Sequence, residues 1–274
     1  MKNIAVLITC YNRAEVTLNF LKGLFNQKLP SDIALNVFLV DDASPDQTGA
    51  RVQEAFPEVN VVNGTGRLFW CRGMRLAWDA AMAAEKGSEE GSRFAYFLWA
   101  NDDTILNDDA IQILLRDHEE TNGVIVGTFA PDAKYEVVSS GATKNIPVGC
   151  PKRGTCGMNG NLVLVPRDIF DKVGPIYGMY NHQYGDYDYG WMLRRNGLEY
   201  YSSSRFCGVC AEQPERYNHL KGRGLLSRIR LLWDPKSYSI HDVFLYQYRR
   251  AGALRAIISC VHVIIKVASA GRVR

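Results

Sequence analysis

Apolar runs alternate with amphipathic segments along the first hundred residues of the chain. The runs are rich in β-branched and aromatic residues, which is typical of strands buried on both faces. They are Ile4–Thr9, Leu35–Val40, Val59–Val62 and Phe94–Ala100. The segments between them repeat apolar residues at helical spacing and cover Val16–Phe25, Val52–Phe56 and Met74–Ala84. Strands that alternate with helices predict an α/β fold with a mostly parallel central sheet and helices on both faces.

The pattern is less regular in the second half of the chain. Three segments have strand character: Val124–Phe129, Val137–Ser140 and Asn161–Val165. A helix is predicted to begin near Arg167. A loop over 177–189, rich in Tyr, Gly and Asn, leads to a helix predicted over Trp191–Asn196 and ended by Gly197. No repeat or low-complexity tract interrupts the sequence.

The composition is that of an ordinary globular protein. Of 274 residues, 47% are hydrophobic and 22% are charged, which excludes a disordered chain, a collagen and a multi-span membrane protein. Seven cysteines, an odd number, do not predict a disulfide framework and favour a reducing compartment. The first apolar run is too short for a signal peptide and leads into Tyr11-Asn12-Arg13. We therefore expect a cytoplasmic protein.

Charge is distributed unevenly along the chain. Residues 216–274 carry twelve Lys and Arg residues against two acids, Asp234 and Asp242, although the whole chain has a net charge of +3. The basic residues alternate with Ile, Leu, Val and Phe, which predicts a helical extension lying on an anionic membrane surface. The apolar stretch Ala256–Ala270 is shorter than the roughly 20 residues that span a bilayer, so we expect peripheral contact with the inner face of the plasma membrane. No recognisable nucleic-acid module accompanies the charge, so nucleic acid is not an expected partner. The oligomeric state stays open.

Two acidic pairs follow buried strands. Asp41-Asp42 come after the second strand and Asp102-Asp103 after the fourth, and ligands of such sheets bind beyond the carboxyl ends of the strands. Carboxylates gathered there repel one another unless a cation joins them. Oxygen ligands suit Mg²⁺ or Mn²⁺, which fill their remaining positions with substrate phosphates. The sequence therefore predicts a diphosphate site, whereas for Asp46 we prefer a helix-capping role.

Other common sites are disfavoured. The sequence has no phosphate-binding P-loop, no complete dinucleotide fingerprint and no Gly-x-Ser-x-Gly elbow. The cysteines 150, 156, 207 and 210 match no common zinc spacing, and we expect buried thiols.

Four segments resemble, in order, those of family 2 glycosyltransferases, whose fold is called GT-A. They are Leu7–Arg13, Val40–Asp46, Leu98–Asp103 and Gly185–Gly197. They match the opening strand and turn of the family, the end of its second strand, its Asp-x-Asp region and the start of its Glu-Asp-x-Asp helix. The resemblance covers about residues 3–200. Within the family, bacterial relatives of this type often resemble rhamnosyltransferases.

The resemblance implies a role for each matching residue. A nucleotide pocket would include Thr9, Tyr11, Asn12, Asp41, Arg67 and Asp102. Asp103 would bind the metal, Mg²⁺ or Mn²⁺, and Asp186 would be the general base for the acceptor hydroxyl. The acceptor side would include Asn161, His182, Tyr184, Asp188 and Trp191.

Two positions depart from the family pattern. The Asp-x-Asp region is written Asn101-Asp102-Asp103, so one acidic position is an amide. Gly185 stands where the family has a Glu before the base. Both departures leave the essential carboxylates in the sequence.

The resemblance implies inverting, metal-dependent transfer of a sugar from a UDP- or dTDP-linked donor. The acceptor would be a hydroxyl of a glycan or a lipid-linked oligosaccharide in cell-surface polysaccharide biosynthesis. A sugar nucleotidyltransferase and a catalytically inactive nucleotide- or glycan-binding protein are the alternatives. Residues 1–215 would form the GT-A domain, with a nucleotide-sugar half over about 1–110 and an acceptor half over about 111–215, followed by the basic extension 216–274.

Overall fold

A computed structural model describes residues 1–87, 93–131, 147–154, 157–210, 220 and 222–270. The strands are β1 (Lys2–Cys10), β2 (Ile33–Asp41), β3 (Asn60–Asn63), β4 (Phe94–Ala100), β5 (Thr104–Leu106), β6 (Val124–Pro131), β7 (Lys152–Arg153), β8 (Leu162–Pro166) and β9 (Tyr200–Cys210). The helices are α1 (Ala14–Phe25), α2 (Thr48–Ala55), α3 (Phe69–Lys86), α4 (Ala110–Thr121), α5 (Arg167–Val173), α6 (Gly185–Arg195), α7 (Leu225–Arg230) and α8 (Ile240–Ser269).

The strands form one sheet in the order β3-β2-β1-β4-β8-β6-β9-β5, with β7 paired to β9. Strands β3, β2, β1 and β4 are parallel, as the alternating pattern predicts. Beyond β4 the sheet is mixed, because β8 runs antiparallel to both β4 and β6. The parallel half brings the carboxyl ends of β1, β2 and β4 to one edge, where Thr9, Asp41 and Asp102 lie at or just beyond the strand ends.

Each face of the sheet has its own core because successive strand residues point to opposite sides. On one face, Ile4, Val6 and Ile8 pack with residues of α1, α2 and α4. On the other face, Ala5 and Leu7 pack with residues of α3, α5 and α6. Strands buried on both faces account for the continuous apolar runs in the sequence, and the predicted α/β layering is confirmed.

Helix α6 begins six residues earlier than the composition of its first turn indicates. The helix starts at Gly185, whereas the sequence predicted a loop up to Tyr189 and a helix from Trp191. Tyr184 precedes the helix in a left-handed conformation (φ 68°), and Asp186 and Asp188 lie in the first turn. Negative side chains are favourable there because they face the positive end of the helix dipole. The predicted strand Val137–Ser140 lies outside the described residues.

Helix α8 is longer than the apolar stretch that predicts it, but it is not one straight rod. Its length and composition alone would allow it to cross a membrane. Gly252 leaves the helical conformation (φ 82°, ψ 178°), and the Cys260 thiol lies 3.9 Å from the carbonyl oxygen of Ile240, twenty positions earlier. A straight helix would separate these residues by about 30 Å. The chain therefore doubles back at Gly252, and α8 is a hairpin of two shorter helices.

Candidate active site

A cavity of about 1230 Å³ opens at the carboxyl edge of the parallel strands. Its lining comes from the strand ends, from the loop before α6 and from the segment around α7. The lining residues are Thr9, Cys10, Tyr11, Arg13, Asp42, Gly66, Phe69, Trp70, Asn101, Asp102, Asp103, Asn159, Gly160, Asn161, His182, Gln183, Tyr184, Asp186, Tyr187, Arg223, Leu231, Asp234, Lys236 and Ser237. Eight of the residues predicted for the site meet here from distant parts of the sequence: Thr9, Tyr11, Asp102, Asp103, Asn161, His182, Tyr184 and Asp186.

Arg13 joins the two carboxylates that follow β4. Its Nη1 lies 3.1 Å from Oδ1 of Asp102 and 3.3 Å from Oδ2 of Asp103. Asp102 is buried and its other oxygen accepts a hydrogen bond from the Thr17 hydroxyl at 2.7 Å, while the Asp103 side chain is 32% exposed. The cation that such a pair of acids requires is thus partly supplied by the protein itself.

Burial dominates the electrostatics of Asp102. It raises the pKa of this carboxyl to about 6, although Arg13 and the hydrogen bond from Thr17 act in the opposite direction. Asp103 is more exposed and makes its one described ion pair with Arg13. Asp103 is therefore the carboxylate of the pair that is accessible from the cavity.

Asp41 and Asp42 shape the rim through backbone contacts. Asp41 accepts hydrogen bonds from the backbone N–H groups of Ser44 at 3.0 Å and Gly49 at 2.9 Å. Asp42 accepts from four N–H groups, those of Thr65, Gly66 and Leu68 in the loop before α3 and that of Phe69 at the start of α3. Asp46 accepts from the N–H of Ala14, the first residue of α1, in agreement with the predicted capping role.

Asp186 lies in the first turn of α6 and faces the cavity. Its carboxylate accepts hydrogen bonds from the backbone N–H groups of Gly160 at 3.0 Å and Tyr187 at 2.8 Å. A side chain on Gly160 would come within 3.2 Å of Asp186 and 3.0 Å of the Trp70 ring, so only glycine fits this approach without displacing a neighbour. Burial raises the pKa of Asp186 to about 6, against the two backbone hydrogen bonds. The group is therefore ionised at neutral pH and remains a stronger base than an ordinary carboxylate.

The loop before α6 is fixed by the C-terminal segment. Asp242, fully buried at the start of α8, accepts hydrogen bonds from the backbone N–H groups of Asn181, His182 and Gln183. The Gln183 amide donates to the carbonyl oxygens of Pro235 and Ser237. These contacts bring the turn 234–237 to the mouth of the cavity.

A second connection joins α8 to α6. Asp188, in the first turn of α6, is 1% exposed and accepts hydrogen bonds from the Tyr180 hydroxyl at 3.1 Å and from Arg249 Nε at 3.1 Å. The Arg249 guanidinium also lies 3.8 Å from the centre of the Tyr177 ring. Asp188 therefore anchors α8 and does not line the cavity.

Several other predicted residues also lie away from the cavity lining. Asn12 donates its backbone N–H to the Ser44 hydroxyl, and Asp41 uses both carboxylate oxygens on the backbone. Arg67 is exposed in the loop before α3, and Trp191 stacks under Arg195 on the surface of α6. Among the residues of α6, only Asp186 and Tyr187 line the cavity, so Asp188 and Trp191 make contacts other than the predicted acceptor contacts.

The carboxylates fit a metal ion only in company with a substrate. Within the described ranges, no group of three His, Cys, Asp or Glu side chains could hold a metal ion. Asp103 offers one accessible carboxylate, and Asp102 is held by Arg13 and Thr17. One or two carboxylates suit Mg²⁺ or Mn²⁺ when phosphate oxygens and water supply the remaining ligands.

The cysteines form no disulfide bond in the part of the chain that the structure describes. Cys207 is buried, as expected, and Cys210 is half-buried. The expectation of a buried thiol was wrong for Cys150, which is exposed because it lies in an irregular segment before β7. Cys156 lies outside the described residues.

No sequence pattern predicted the site residues that come from the C-terminal segment. Arg223, Asp234 and Lys236 line the cavity mouth, but the charge excess of this segment only indicated an anionic partner. Arg13 lies within one of the four family segments, but no sequence pattern indicates that it pairs with Asp102 and Asp103. That contact depends on the fold, which brings the end of β1 next to the end of β4.

Comparison with protein families identifies the group to which the chain belongs. Residues 5–202 match the family described as glycosyl transferase family 2. The chain belongs to glycosyltransferase family 2. No curated protein sequence matches it. The family match covers the cavity residues from the strand ends and from α6, and it ends before the C-terminal segment.

Solved structures confirm the GT-A fold of this glycosyltransferase. S. aureus TarS 1-349 in complex with UDP is 15% identical with a TM-score of 0.54, over 90% of this chain and 70% of that chain. The same fragment with UDP-GlcNAc is 12% identical with a TM-score of 0.54, over 98% and 82%. Mannosyltransferase PcManGT from Pyrobaculum calidifontis, in complex with GDP-Man and Mn²⁺, is 18% identical with a TM-score of 0.52, over 98% and 75%.

The raised pKa of Asp186 predicts a pH-dependent effect of Asp186→Asn on stability. The folded wild type keeps this proton up to about pH 6, whereas the unfolded chain releases it near 3.8, the ordinary pKa of an aspartate. Raising the pH through this window removes stability from the wild type but not from the variant. We expect the variant to gain up to about 2 kcal/mol relative to the wild type between about pH 4 and pH 7. Urea unfolding at both pH values measures the difference.

Asp168→Asn is the matched control, since Asp168 is an exposed carboxylate on α5. Its difference from the wild type should not change with pH. An Asp186→Asn difference that is equally constant would contradict the assigned environment of Asp186.

Proposed function

We propose that this protein transfers a sugar from a nucleoside diphosphate sugar to a hydroxyl of a glycan or lipid-linked oligosaccharide, with inversion at the anomeric carbon. The observation that carries the proposal is Asp186, a basic carboxylate facing the same cavity as Asp103 and the Arg13–Asp102 pair. Family membership supports the reaction class. UDP- and dTDP-linked donors both fit the proposal, and cell-surface polysaccharide biosynthesis is the proposed setting.

In this proposal Asp186 activates the acceptor. Its carboxylate takes the proton from the acceptor hydroxyl while the hydroxyl oxygen bonds to the anomeric carbon. The bond from that carbon to the donor phosphate breaks on the opposite side, and the nucleoside diphosphate leaves with the electron pair. One displacement of this kind inverts the anomeric centre, and no covalent intermediate with the protein is required.

The donor would lie along the strand ends. Thr9, Tyr11 and Asp102 line the cavity there and would contact the nucleotide. Asp41, Asn12 and Arg67 would support the pocket from its rim. Mg²⁺ or Mn²⁺, held by Asp103 together with the donor diphosphate, would offset the negative charge of the leaving group. Among the similar proteins, PcManGT has been solved with GDP-Man and Mn²⁺, and TarS with UDP and UDP-GlcNAc.

On the acceptor side the proposal uses residues that line the cavity near Asp186. Asn161, His182 and Tyr184 would contact the acceptor. Tyr184 stacks on Tyr246 of α8 with a ring separation of 4.6 Å, which fixes the orientation of its ring. We keep Asp188 as a residue that orients α6, since its contacts are with Tyr180 and Arg249.

We also propose that the basic extension 216–274 holds the catalytic domain 1–215 against the cytoplasmic face of the plasma membrane. The second helix of the α8 hairpin exposes a row of large apolar residues: Leu254, Ile257, Ile258, Val261, Ile264 and Ile265. Ala256, Cys260 and Val267 face the opposite way and are buried. Arg255 and Lys266, eleven positions apart and so close together in angle around the helix, lie on one side of the exposed row. An apolar stripe with one cationic edge suits an anionic bilayer surface.

Asp186→Asn tests the proposed base. The amide cannot accept the proton, so we expect sugar transfer to fall by about 10²–10⁴-fold while nucleoside diphosphate binding is retained. The wild-type kcat/KM should fall below about pH 6, as protonation of the carboxyl removes the base. Nucleoside diphosphate release and thermal shift measure the two effects. Asp168→Asn should behave as wild type, and full activity of Asp186→Asn would refute the assignment.

Asp103→Asn tests the metal site. The thermal stability of the wild type is measured with UDP, dTDP, GDP, CDP and ADP, each with and without Mn²⁺ or Mg²⁺. A bound product at about 100 times its Kd stabilises the fold by about 2.7 kcal/mol. We expect the metal-dependent part of the shift to disappear in Asp103→Asn and to persist in Asp108→Asn, an exposed acid paired with Lys28. No shift with any nucleotide would favour the inactive-protein alternative.

The α8 surface is tested with vesicles. Wild-type protein should bind vesicles containing phosphatidylglycerol, and binding should weaken as salt rises because charge attraction is screened. The double variant Ile258→Asp, Ile265→Asp should bind at least about tenfold more weakly, since it places charge in the apolar face. Val16→Asp, at an exposed apolar position of α1, is the control. Binding that ignores both salt and the double substitution would exclude this surface.

A further inference from the structure

Two cations at the mouth of the cavity have no carboxylate partner within the described residues. They are Arg223, which precedes α7, and Lys236, in the turn between α7 and α8. Arg223 donates from Nη1 to the Ser227 hydroxyl at 3.4 Å, a neutral partner. Arg13, the other Lys or Arg side chain of the cavity lining, is paired with both Asp102 and Asp103. Two of the three cations in the described lining therefore have no ion-pair partner among the described residues.

The carboxylate closest to Lys236 along the chain is that of Asp234, which is used within the turn itself. Asp234 accepts a hydrogen bond from the backbone N–H of Lys236 at 3.0 Å and another from the Ser237 hydroxyl at 2.8 Å. These bonds close the turn, and Gln183 fastens it to the loop before α6 through the carbonyls of Pro235 and Ser237. The Lys236 backbone is thus held in place, and the Lys236 side chain lines the cavity.

The charge of Lys236 reaches the cavity wall at His182. Burial and then the Lys236 charge lower the pKa of His182 to about 4, so this imidazole is neutral at physiological pH. Its Nδ1 is buried and has no hydrogen-bond partner among the described residues. A buried polar atom without a partner is costly, and this one belongs to a residue that lines the same cavity as the two cations.

We propose that Arg223 and Lys236, with His182 behind them, form a phosphate-binding lip at the mouth of the cavity. The inference rests on the proposed function and adds a ligand chemistry to it. The lining of the same cavity also carries the acids Asp102, Asp103 and Asp186, from the strand ends and from α6. This polarity holds a phosphate oxyanion at the mouth and directs the uncharged part of the same substrate toward the floor. The phosphate belongs either to the donor diphosphate or to a phosphate-bearing acceptor.

The experiment compares two double variants of the full chain by titration calorimetry. Arg223→Gln, Lys236→Gln removes the lip, and Arg116→Gln, Lys172→Gln removes two exposed cations that lie on α4 and α5 outside the cavity lining. Each protein is titrated with UDP in the presence of Mn²⁺, and then with inorganic pyrophosphate after saturation with UDP. Removing hydrogen bonds from charged side chains to phosphate should lower the affinity of the lip variant for the phosphate ligand by about tenfold or more.

The two phosphate sources give different results. If the lip holds the donor diphosphate, the lip variant loses affinity for UDP and the UDP-loaded wild type binds no pyrophosphate. If it holds an acceptor phosphate, UDP binding is unchanged, the loaded wild type binds pyrophosphate, and the lip variant loses that binding. The inference is overturned if the lip variant matches the control double variant in both titrations.

Failure of the proposed function can be recognised separately. If the wild type binds neither UDP nor any other nucleoside diphosphate, the transferase proposal fails, and titration of the free protein with pyrophosphate still tests the lip. Circular dichroism and the single variants Arg223→Gln and Lys236→Gln show whether a loss reflects folding, since both side chains are exposed. His182→Ala should weaken the same anion binding, whereas His118→Ala, on α4, should not.

Discussion

Buried carboxylates that accept backbone N–H groups hold the loops around the cavity. Asp42 binds four N–H groups from the loop before α3 and the start of α3, and Asp242 binds three of the loop before α6. A carboxylate has about four acceptor positions, so one side chain can satisfy a whole loop that has no secondary-structure partner. Leaving those N–H groups buried and unpaired would cost about 1–3 kcal/mol each. Hydrogen bonds from backbone N–H groups to buried carboxylates therefore hold the cavity walls in place, together with the apolar packing of Trp70 and Tyr184.

The same residue type serves two purposes, and the neighbouring atoms decide which. Asp41, Asp42 and Asp242 use their oxygens on the backbone and hold the walls in place. Asp103 and Asp186 face the cavity, the first beside Arg13 and the second in a setting that makes it more basic. A motif of adjacent acids does not distinguish these purposes, because the partners come from other parts of the chain.

The strands and the strand-end acids could be predicted from the sequence because both follow from local patterns. Continuous apolar runs identify strands buried on two faces, and the residues after them must lie at one edge of a parallel sheet. The start of α6 was predicted too late because its Tyr- and Gly-rich first turn lacks helical periodicity. The contribution of the C-terminal segment could not be predicted, since Asp242 meets Asn181 across 61 positions and Arg249 meets Asp188 across the same number. Contacts between residues so far apart produce no periodic pattern in the sequence.

The reversal at Gly252 sets the height of the cavity above any surface on which α8 rests. Because the chain folds back, Val267 packs against Leu232 and Tyr238, which flank the turn that carries Lys236. The helix that carries the outward apolar row therefore packs against the segment that carries Lys236. In the proposed membrane-bound state the hairpin would act as a spacer, so that the protein, and not the length of the substrate, would set the distance from the membrane surface to the cavity.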